Sequence, residues 1–397
     1  MDIVTLEQKY QNLYTPTFEI LVEGQDILKA GVEVISVNVD NTLDGADTFS
    51  FTVFNAFDTT QRKILWFEGL FSFGKEVEIK FGYAKETKTL MIGLITSVKV
   101  DFPSGSPPQM EVSGFDYSFL MMKEKKPRSW KDTTDSNVAK SIAAEYKLEI
   151  SPDGNNTFTS KEPIEDSEIE FEQIVKQEKE SDFEFLKRLA ERNYYELFVF
   201  NKTLYFRKPA YKSDPVVNLE WNKSLVSFSP ELNIAEYAAQ VSVTGQDTLN
   251  QKNIVATAKL NTPEIKKQEM QQTLDILLNF ITLNFITRSK SIRPELLREQ
   301  VKQPVASEKH AENLAKSILL KRNEERLKGN GESIGVPDIL AGANIELKGL
   351  GSQFSQTYYI EKTNHTISSS GYRTTFSVKQ GVGKDNVKLT SETSPLS

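Results

Sequence analysis

The 397-residue sequence contains no cysteine and only two histidines. Without cysteine the chain can form neither disulfides nor thiolate metal sites, and it has no thiol nucleophile. Its stability must therefore come from packing and from assembly. His310 and His365 are far apart in the sequence and do not show the spacing of a zinc site. We interpret each as a hydrogen-bonded or surface residue, and a site built from one histidine and scattered carboxylates is the weaker alternative.

The sequence also lacks a block of charge of one sign and a long apolar run. Its 55 acidic and 48 basic residues are spread along the chain, so no basic stripe is offered to DNA or RNA and we expect no specific nucleic-acid binding. The segment Met1–Lys9 does not have the pattern of a secretory signal. Residues 276–286, the longest apolar run, fall well short of the roughly 20 residues of a membrane span. We therefore expect synthesis in the cytoplasm and no stable membrane insertion.

Motifs typical of enzymes are missing as well. The segment Ser104–Pro107 is the nearest approach to a nucleophile elbow, and it lies in a proline-rich turn. The glycines of the segment 329–335 do not have dinucleotide-binding spacing, and we predict a loop there. A pair of glycosidase carboxylates has no required spacing and stays open, but no pair stands out. The sequence thus predicts no catalytic, cofactor-binding or metal-binding residue, no cofactor, and a protein that is not an enzyme.

What the sequence has in abundance is apolar residues at every second position, as in Phe49, Phe51 and Val53, with 24 Phe and 13 Tyr overall. This pattern predicts a first antiparallel β-sandwich or barrel over residues 1–120. A second, discontinuous one is predicted over residues 211–261 and 326–383, with a helical insertion at 262–325. The repeat Leu278–Thr287 in that insertion fits either core packing or an exposed docking surface. Residues 384–397 are predicted to be a polar, mobile tail.

Between these regions, residues 121–210 have the pattern of a small α+β module. Asp135 and Ser136 are predicted to cap a first helix. The capping box Ser181–Glu184 opens a second helix, and Asn193 is predicted to end it in the left-handed conformation. Two apolar strands follow, with Asn201 and Lys202 as the turn between them.

Several segments of the chain resemble the phage late control protein D family, the baseplate hub proteins of contractile tails, which also form the N-terminal part of VgrG-type spikes. The resemblance spans most of the chain. Relatives often carry glycine after the asparagine that ends the second helix, whereas this chain has Tyr194, so the left-handed turn is predicted to rest on Asn193. The matching segments are Tyr14–Phe18, Glu180–Tyr195, Gly335–Gly342, Leu347–Gly351, Tyr358–Ile360, His365 and Gly371–Phe376.

The resemblance implies a β-rich α+β fold: two tail-tube-like antiparallel β-barrels, the second discontinuous, with small α/β modules inserted. Three chains would form a homotrimeric ring that binds the hexameric tail tube protein on one side and a separate trimeric spike protein on the other, among other baseplate proteins. The implied function is a structural baseplate hub that adapts the six-fold tube to the three-fold spike.

The implied location follows from this function. The chain would be made in the bacterial cytoplasm and then become part of a phage tail, a tailocin or another contractile injection particle. Two alternatives stay open: a tail-associated peptidoglycan hydrolase with a carboxylate pair in residues 121–210, and a peripheral receptor-binding tail protein.

Overall fold

The computed structural model describes residues 3–66, 68–150, 164–165, 172–233, 238–247, 252–260, 298–302, 305, 307–324, 326–381 and 387–395. The repeat Leu278–Thr287 lies outside these residues. The chain divides into two compact units: unit 1 comprises Met1–Glu231 and Leu327–Gly381, and unit 2 comprises Leu232–Arg326 and Val382–Ser397.

Strands dominate the described residues. They are β1 Pro16–Val22, β2 Gln25–Asp26, β3 Val34–Thr42, β4 Thr48–Val53, β5 Phe57–Asp58, β6 Lys63–Ile64, β7 Glu76–Tyr83, β8 Glu86–Asp101, β9 Gln109–Asp116, β10 Arg128–Thr133, β11 Glu172–Gln177, β12 Glu196–Phe200, β13 Thr203–Arg207, β14 Val217–Glu220, β15 Leu225–Leu232, β16 Gln240–Asp247, β17 Lys252–Leu260, β18 Arg298–Lys302, β19 Leu327–Ile334, β20 Asn344–Lys348, β21 Thr357–Ser368, β22 Gly371–Lys379 and β23 Val387–Pro395. The helices are α1 Ile3–Lys9, α2 Ser118–Met121, α3 Asp135–Glu145, α4 Asp182–Asn193, α5 Glu308–Glu324 and α6 Gly351–Phe354.

Unit 1 is built on a 13-stranded sheet with the order β15-β19-β22-β21-β3-β4-β9-β8-β7-β1-β2, to which β20 and β14 are added at β21. We call β1–β4 with β7–β9 the N-terminal half-sheet, and β14, β15 and β19–β22 the C-terminal half-sheet. The two half-sheets join where β3 pairs antiparallel with β21, with Val39 opposite His365. The β-rich, mostly antiparallel fold predicted from the sequence is confirmed.

The sheet forms because apolar side chains alternate along its strands. Val37, Val39, Phe49 and Phe51 point to one side, where they are buried in a core that both half-sheets share. Since successive side chains of a strand point to opposite faces, the residues between them form a polar, solvent-facing side. One prediction was wrong here: the glycine-rich segment 329–335 is for the most part strand β19 and not a loop, and it pairs with β22.

The α+β module has a hydrophobic core of its own, to which Ile142, Phe185, Leu189 and Phe206 contribute. The hairpin β12–β13 with its turn at residues 201–202 is confirmed. The capping box is confirmed too: the backbone N–H of Glu184 donates to Ser181, whose own N–H donates to the Glu184 carboxylate. The first helix is capped differently from the prediction, because the hydroxyl of Thr134 accepts the hydrogen bond from the N–H of Asn137.

The prediction that Asn193 takes the left-handed conformation was also wrong. Tyr194 takes it, with φ 55° and ψ 48°, and its backbone N–H donates to carbonyls of the last helical turn. Asn193 is buried in α4, where its side-chain amide donates to Asp135 Oδ2 at 2.6 Å and to the Leu189 carbonyl at 2.8 Å. These two bonds explain why asparagine ends the helix without making the turn itself.

Unit 2 contains a four-stranded sheet with the order β18-β16-β17-β23. Helix α5 packs on it through Ala311, Ala315 and Leu319, which contact apolar residues of β16 and β17. The sequence pattern predicts that the residues of β16 and β17 belong to a second barrel and that residues 384–397 form a mobile tail. Instead Val387–Pro395 pairs with the whole length of β17. Polar residues suffice in β23 because only Val387 and Leu389 pack against the core of this unit.

The left-handed Tyr194 gives a test of the helix end. The left-handed conformation destabilises a residue with a Cβ by roughly 1 kcal/mol, whereas glycine adopts it without this cost. Tyr194→Gly and Tyr194→Ala both remove the phenol ring. The difference between their free energies of unfolding therefore measures the cost of the left-handed backbone conformation for a residue with a Cβ. We expect the glycine variant to be about 1 kcal/mol more stable than the alanine variant in urea unfolding. Equal stabilities would contradict the assigned conformation.

Candidate functional site

One functional candidate in unit 1 is the polar face of the sheet around the seam between β3 and β21. Solvent-side residues of neighbouring strands are hydroxyls, amides and charges of both signs. They include Asn38, Asp40, Asn330, Glu332, Lys362, Asn364, Thr366, Arg373, Thr375 and Ser377. We call this surface the seam face.

Hydrogen bonds between neighbouring strands organise the seam face. The Thr366 hydroxyl donates to Asn38 Oδ1 at 2.7 Å across the seam, and Ser377 donates to Asn330 Oδ1 at 2.7 Å. The charges pair in the same way, since Lys362 Nζ lies 3.8 Å from Asp40 Oδ1. Exposed pairs of this kind add little stability, at most about 1 kcal/mol each. Their effect is to leave the surface hydrophilic with its charges compensated.

A groove of about 520 Å³ lies in the seam face. Its floor contains Phe376, and the glycines of β19 make room for the aromatic rings beneath. A Cβ at Gly331 would lie 2.6 Å from two ring atoms of Phe376, and one at Gly329 would lie 2.5 Å from the Phe228 ring. The groove is lined by Asp40, Ser227, Ser229, Asn330, Gly331, Glu332, Lys362, Thr363, Asn364, Thr375, Phe376 and Ser377.

Behind the seam face, His365 lies on the buried side of β21. Its Nδ1 is 2.8 Å from the hydroxyl of Tyr372, and its Nε2 is 2.8 Å from the carbonyl oxygen of Ile339. Burial lowers the pKa of His365 to about 4, so the ring is neutral at pH 7. The structure thus places this histidine in a hydrogen-bonded core position. His310 lies in α5 of unit 2, where its backbone N–H donates to Ser307.

A second buried polar group surrounds Asp338, which accepts hydrogen bonds from Lys9 Nζ at 2.8 Å, Lys88 Nζ at 3.1 Å and the Tyr10 hydroxyl at 2.8 Å. Burial alone would raise the pKa of this carboxyl, but the charges of Lys88 and Lys9 hold the pKa below its usual value. The group ties α1 and β8 to the segment that follows β19.

A third buried group contains the fully buried Arg207. Its Nε donates to Glu196 Oε1 at 2.8 Å and its Nη2 to the Gly342 carbonyl at 2.9 Å, while the Tyr359 hydroxyl donates to the same glutamate. Burial opposes the charge of Arg207, but Glu196 outweighs this and keeps its pKa raised. These groups were not predicted from the sequence, although Asp338 and Gly342 belong to the segment Gly335–Gly342 on which the family resemblance partly rests.

These buried groups position side chains. Within the described residues, three or more His, Asp or Glu side chains never come together in a group that could hold a metal ion. The helices that the structure describes are likewise too short or too polar to span a bilayer.

The fold is one that solved tail proteins share. The 43 kDa tail protein of prophage MuSo2 from Shewanella oneidensis is 11% identical and superposes with a TM-score of 0.64, over 94% of this chain and 100% of that chain. The tail protein from Neisseria meningitidis MC58 is 14% identical with a TM-score of 0.61, over 92% and 97%. An Escherichia coli component of the type VI secretion system is 11% identical with a TM-score of 0.53, over 92% and 78%. No curated protein matches the chain.

The family is shown by a separate match. The model of the Alg8 N-terminal domain family matches residues 12–369, and the chain belongs to this family. The assignment to the late control protein D family was therefore wrong. The same match overturns the prediction that the chain is not an enzyme. That prediction was based on missing motifs, and missing residue types exclude only the chemistries that need them.

The glycines under the groove lead to a test of the seam face. Gly331→Ala should cost about 1–3 kcal/mol, because the added methyl group overlaps the buried Phe376 ring. Gly45→Ala is the matched control, since no atom lies within 4 Å of its added Cβ and its φ is not positive. Urea unfolding of both variants measures the difference. A Gly331 variant as stable as the control would contradict the packing of Phe376 beneath β19.

Proposed function

We propose that this chain is a structural baseplate hub of a phage tail or a related contractile injection particle. The observation that carries the proposal is the fold: its superposition on the MuSo2 tail protein covers nearly all of both chains. The Escherichia coli relative of the same fold is described as similar to the T4 bacteriophage tail proteins gp27 and gp5. A shared fold does not determine function, so further support must come from the surface of this chain.

The arrangement of the two half-sheets supports the ring in the proposal. Each half-sheet is mostly antiparallel, and the two lie edge to edge through the β3–β21 ladder. A ring of three copies would thus carry six half-sheets, which gives a three-fold assembly a six-fold repeat. In this proposal the repeat binds the hexameric tail tube protein on one side, while the three-fold symmetry binds a separate trimeric spike protein on the other.

The seam face supports the same proposal. Its charges are paired between strands, and its solvent-side side chains are hydroxyls, amides and charged groups. Exposed apolar patches typically mark sites of stable protein contact, and the seam face is not one. We propose that it faces the water-filled interior of the ring and that the contacts between copies form elsewhere on the chain. The assembled particle would act outside the cell that made it.

The proposal is tested by the mass of the purified full chain, alone and after mixing with the spike and tube proteins of the same particle. We expect light scattering and native mass spectrometry to give the mass of three 45.0 kDa chains, either alone or once the spike is added. Electron microscopy of the particle should then show the chain on the central axis between tube and spike.

Two outcomes would contradict the hub. One is a stable monomer that binds neither the spike nor the tube protein. The other is a peripheral position in the particle, which would instead support the receptor-binding alternative. Clear lysis of peptidoglycan in a zymogram with the purified chain would support the hydrolase alternative.

A further inference from the structure

Two buried carboxyl groups face each other at one end of the N-terminal half-sheet. Thr48 pairs with Phe115, so the next pair along the ladder sets Asp47 against Asp116, and the backbone N–H of Asp116 donates to the Asp47 carbonyl at 3.0 Å. Directly opposite residues of an antiparallel pair have Cβ atoms on the same face and about 5 Å apart. Asp47 is 5% exposed and Asp116 is 3% exposed.

Three of the four carboxyl oxygens have hydrogen-bond donors. Asp47 Oδ1 accepts from the Thr42 N–H at 2.7 Å and its Oδ2 from Asn41 Nδ2 at 2.8 Å. Asp116 Oδ1 accepts from the backbone N–H of Ser118 at 3.0 Å and from the Ser118 hydroxyl. Asp116 Oδ2 is buried without a hydrogen-bond partner. A buried oxygen without a donor is costly if it carries charge, because burial removes its hydration.

The charged groups around the pair do not neutralise it. Asp40 on β3 adds negative charge, and Lys362 on β21 lies 3.8 Å from Asp40. Lys187 on α4 donates to the Leu43 carbonyl and to Asp44. On β8, the backbone carbonyl of Leu90 accepts a hydrogen bond from the side-chain amide of Asn41. Over the described part of the chain, no cation forms an ion pair with either carboxylate.

We propose that Asp47 and Asp116 share one proton in the folded protein. The hydrogen bond that this proton forms would connect the β3–β4 turn to the end of β9 and the start of α2. The proton lies between Asp116 Oδ2 and the carboxylate of Asp47, which supplies the missing hydrogen bond and removes one of two like charges. Burial, with the neighbouring carboxylate, accordingly raises the pKa of Asp47 well above its usual value, and burial raises the pKa of Asp116 to about 7.

The shared proton makes stability depend on pH in a definite direction. An aspartate of the unfolded chain releases its proton near pH 4, whereas burial raises the pKa of Asp116 to about 7 and the pKa of Asp47 well above its usual value. Between these values the folded chain binds more protons than the unfolded chain, so raising the pH favours unfolding. For one proton, the unfolding equilibrium constant increases by up to about tenfold per pH unit. The contact between the β3–β4 turn and the end of β9 is therefore most stable in mild acid, and its stability decreases toward neutral pH.

Asp116→Asn tests the proposal, because the amide has the shape of a protonated carboxyl group and can donate to Asp47 at every pH. Unfolding of the full chain in urea is measured from pH 5 to 7.5. We expect the ratio of the wild-type to the variant unfolding constant to increase roughly 10- to 100-fold over this range, since only the wild type loses the proton. Asp116→Ala cannot donate, and it should be less stable than Asp116→Asn throughout.

The matched control is Asp132→Asn, which changes an exposed aspartate of β10 and should leave the corresponding ratio constant with pH. A second measurement is the infrared band of protonated carboxyl groups at pH 6, which should be present in the wild type and diminished in Asp116→Asn. A wild-type to Asp116→Asn ratio that does not change with pH, or an unchanged infrared band, would overturn the proposal. Failure of Asp116→Asn to fold would overturn it too, because the amide offers the same hydrogen bond.

Discussion

The structure of unit 1 depends on how the backbone of the segment 335–342 is satisfied inside the core. Three side chains from separate strands reach its carbonyl oxygens: the Tyr83 hydroxyl donates to Gly335, a ring nitrogen of His365 lies against Ile339, and Arg207 donates to Gly342. A buried carbonyl without a donor would cost about 1–3 kcal/mol. The segment can be buried only because both half-sheets and the β12–β13 hairpin supply these side chains.

These hydrogen bonds help to explain why the two half-sheets belong to one compact unit. The ladder between β3 and β21 supplies backbone hydrogen bonds along a single edge, and an edge alone permits twisting and slippage. Behind that edge, Lys88 of β8 donates to Asp338 and Tyr83 of β7 donates to the Gly335 carbonyl, which adds contacts between the N-terminal half-sheet and the segment 335–342. These hydrogen bonds are directional, so they oppose movement of one half-sheet relative to the other. The seam face on the opposite side can then remain hydrophilic, because it is not needed for cohesion.

The sequence predicted local structure well and long-range pairing poorly. The alternation of Phe49, Phe51 and Val53 identified a strand, and the Ser181 capping box located a helix start, since both signals lie within a few neighbouring residues. The pairing of β3 with β21 joins residues more than 300 positions apart, and no local pattern specifies it. Asp47 could have been noticed, because counting by two from Phe49 places it on the inward side. Its partner Asp116 becomes evident only once the ladder is known.

Strand β23 has a consequence for how the protein is made. It pairs with β17 along Lys252–Leu260, so this edge of the unit 2 sheet is completed by a strand that lies far later in the chain than β17. Closing so long a loop is slow, because chain entropy is lost before the contacts form. During synthesis the edge of β17 is therefore open to other strands. The sheet of unit 2 can therefore be completed only after β23 has been translated.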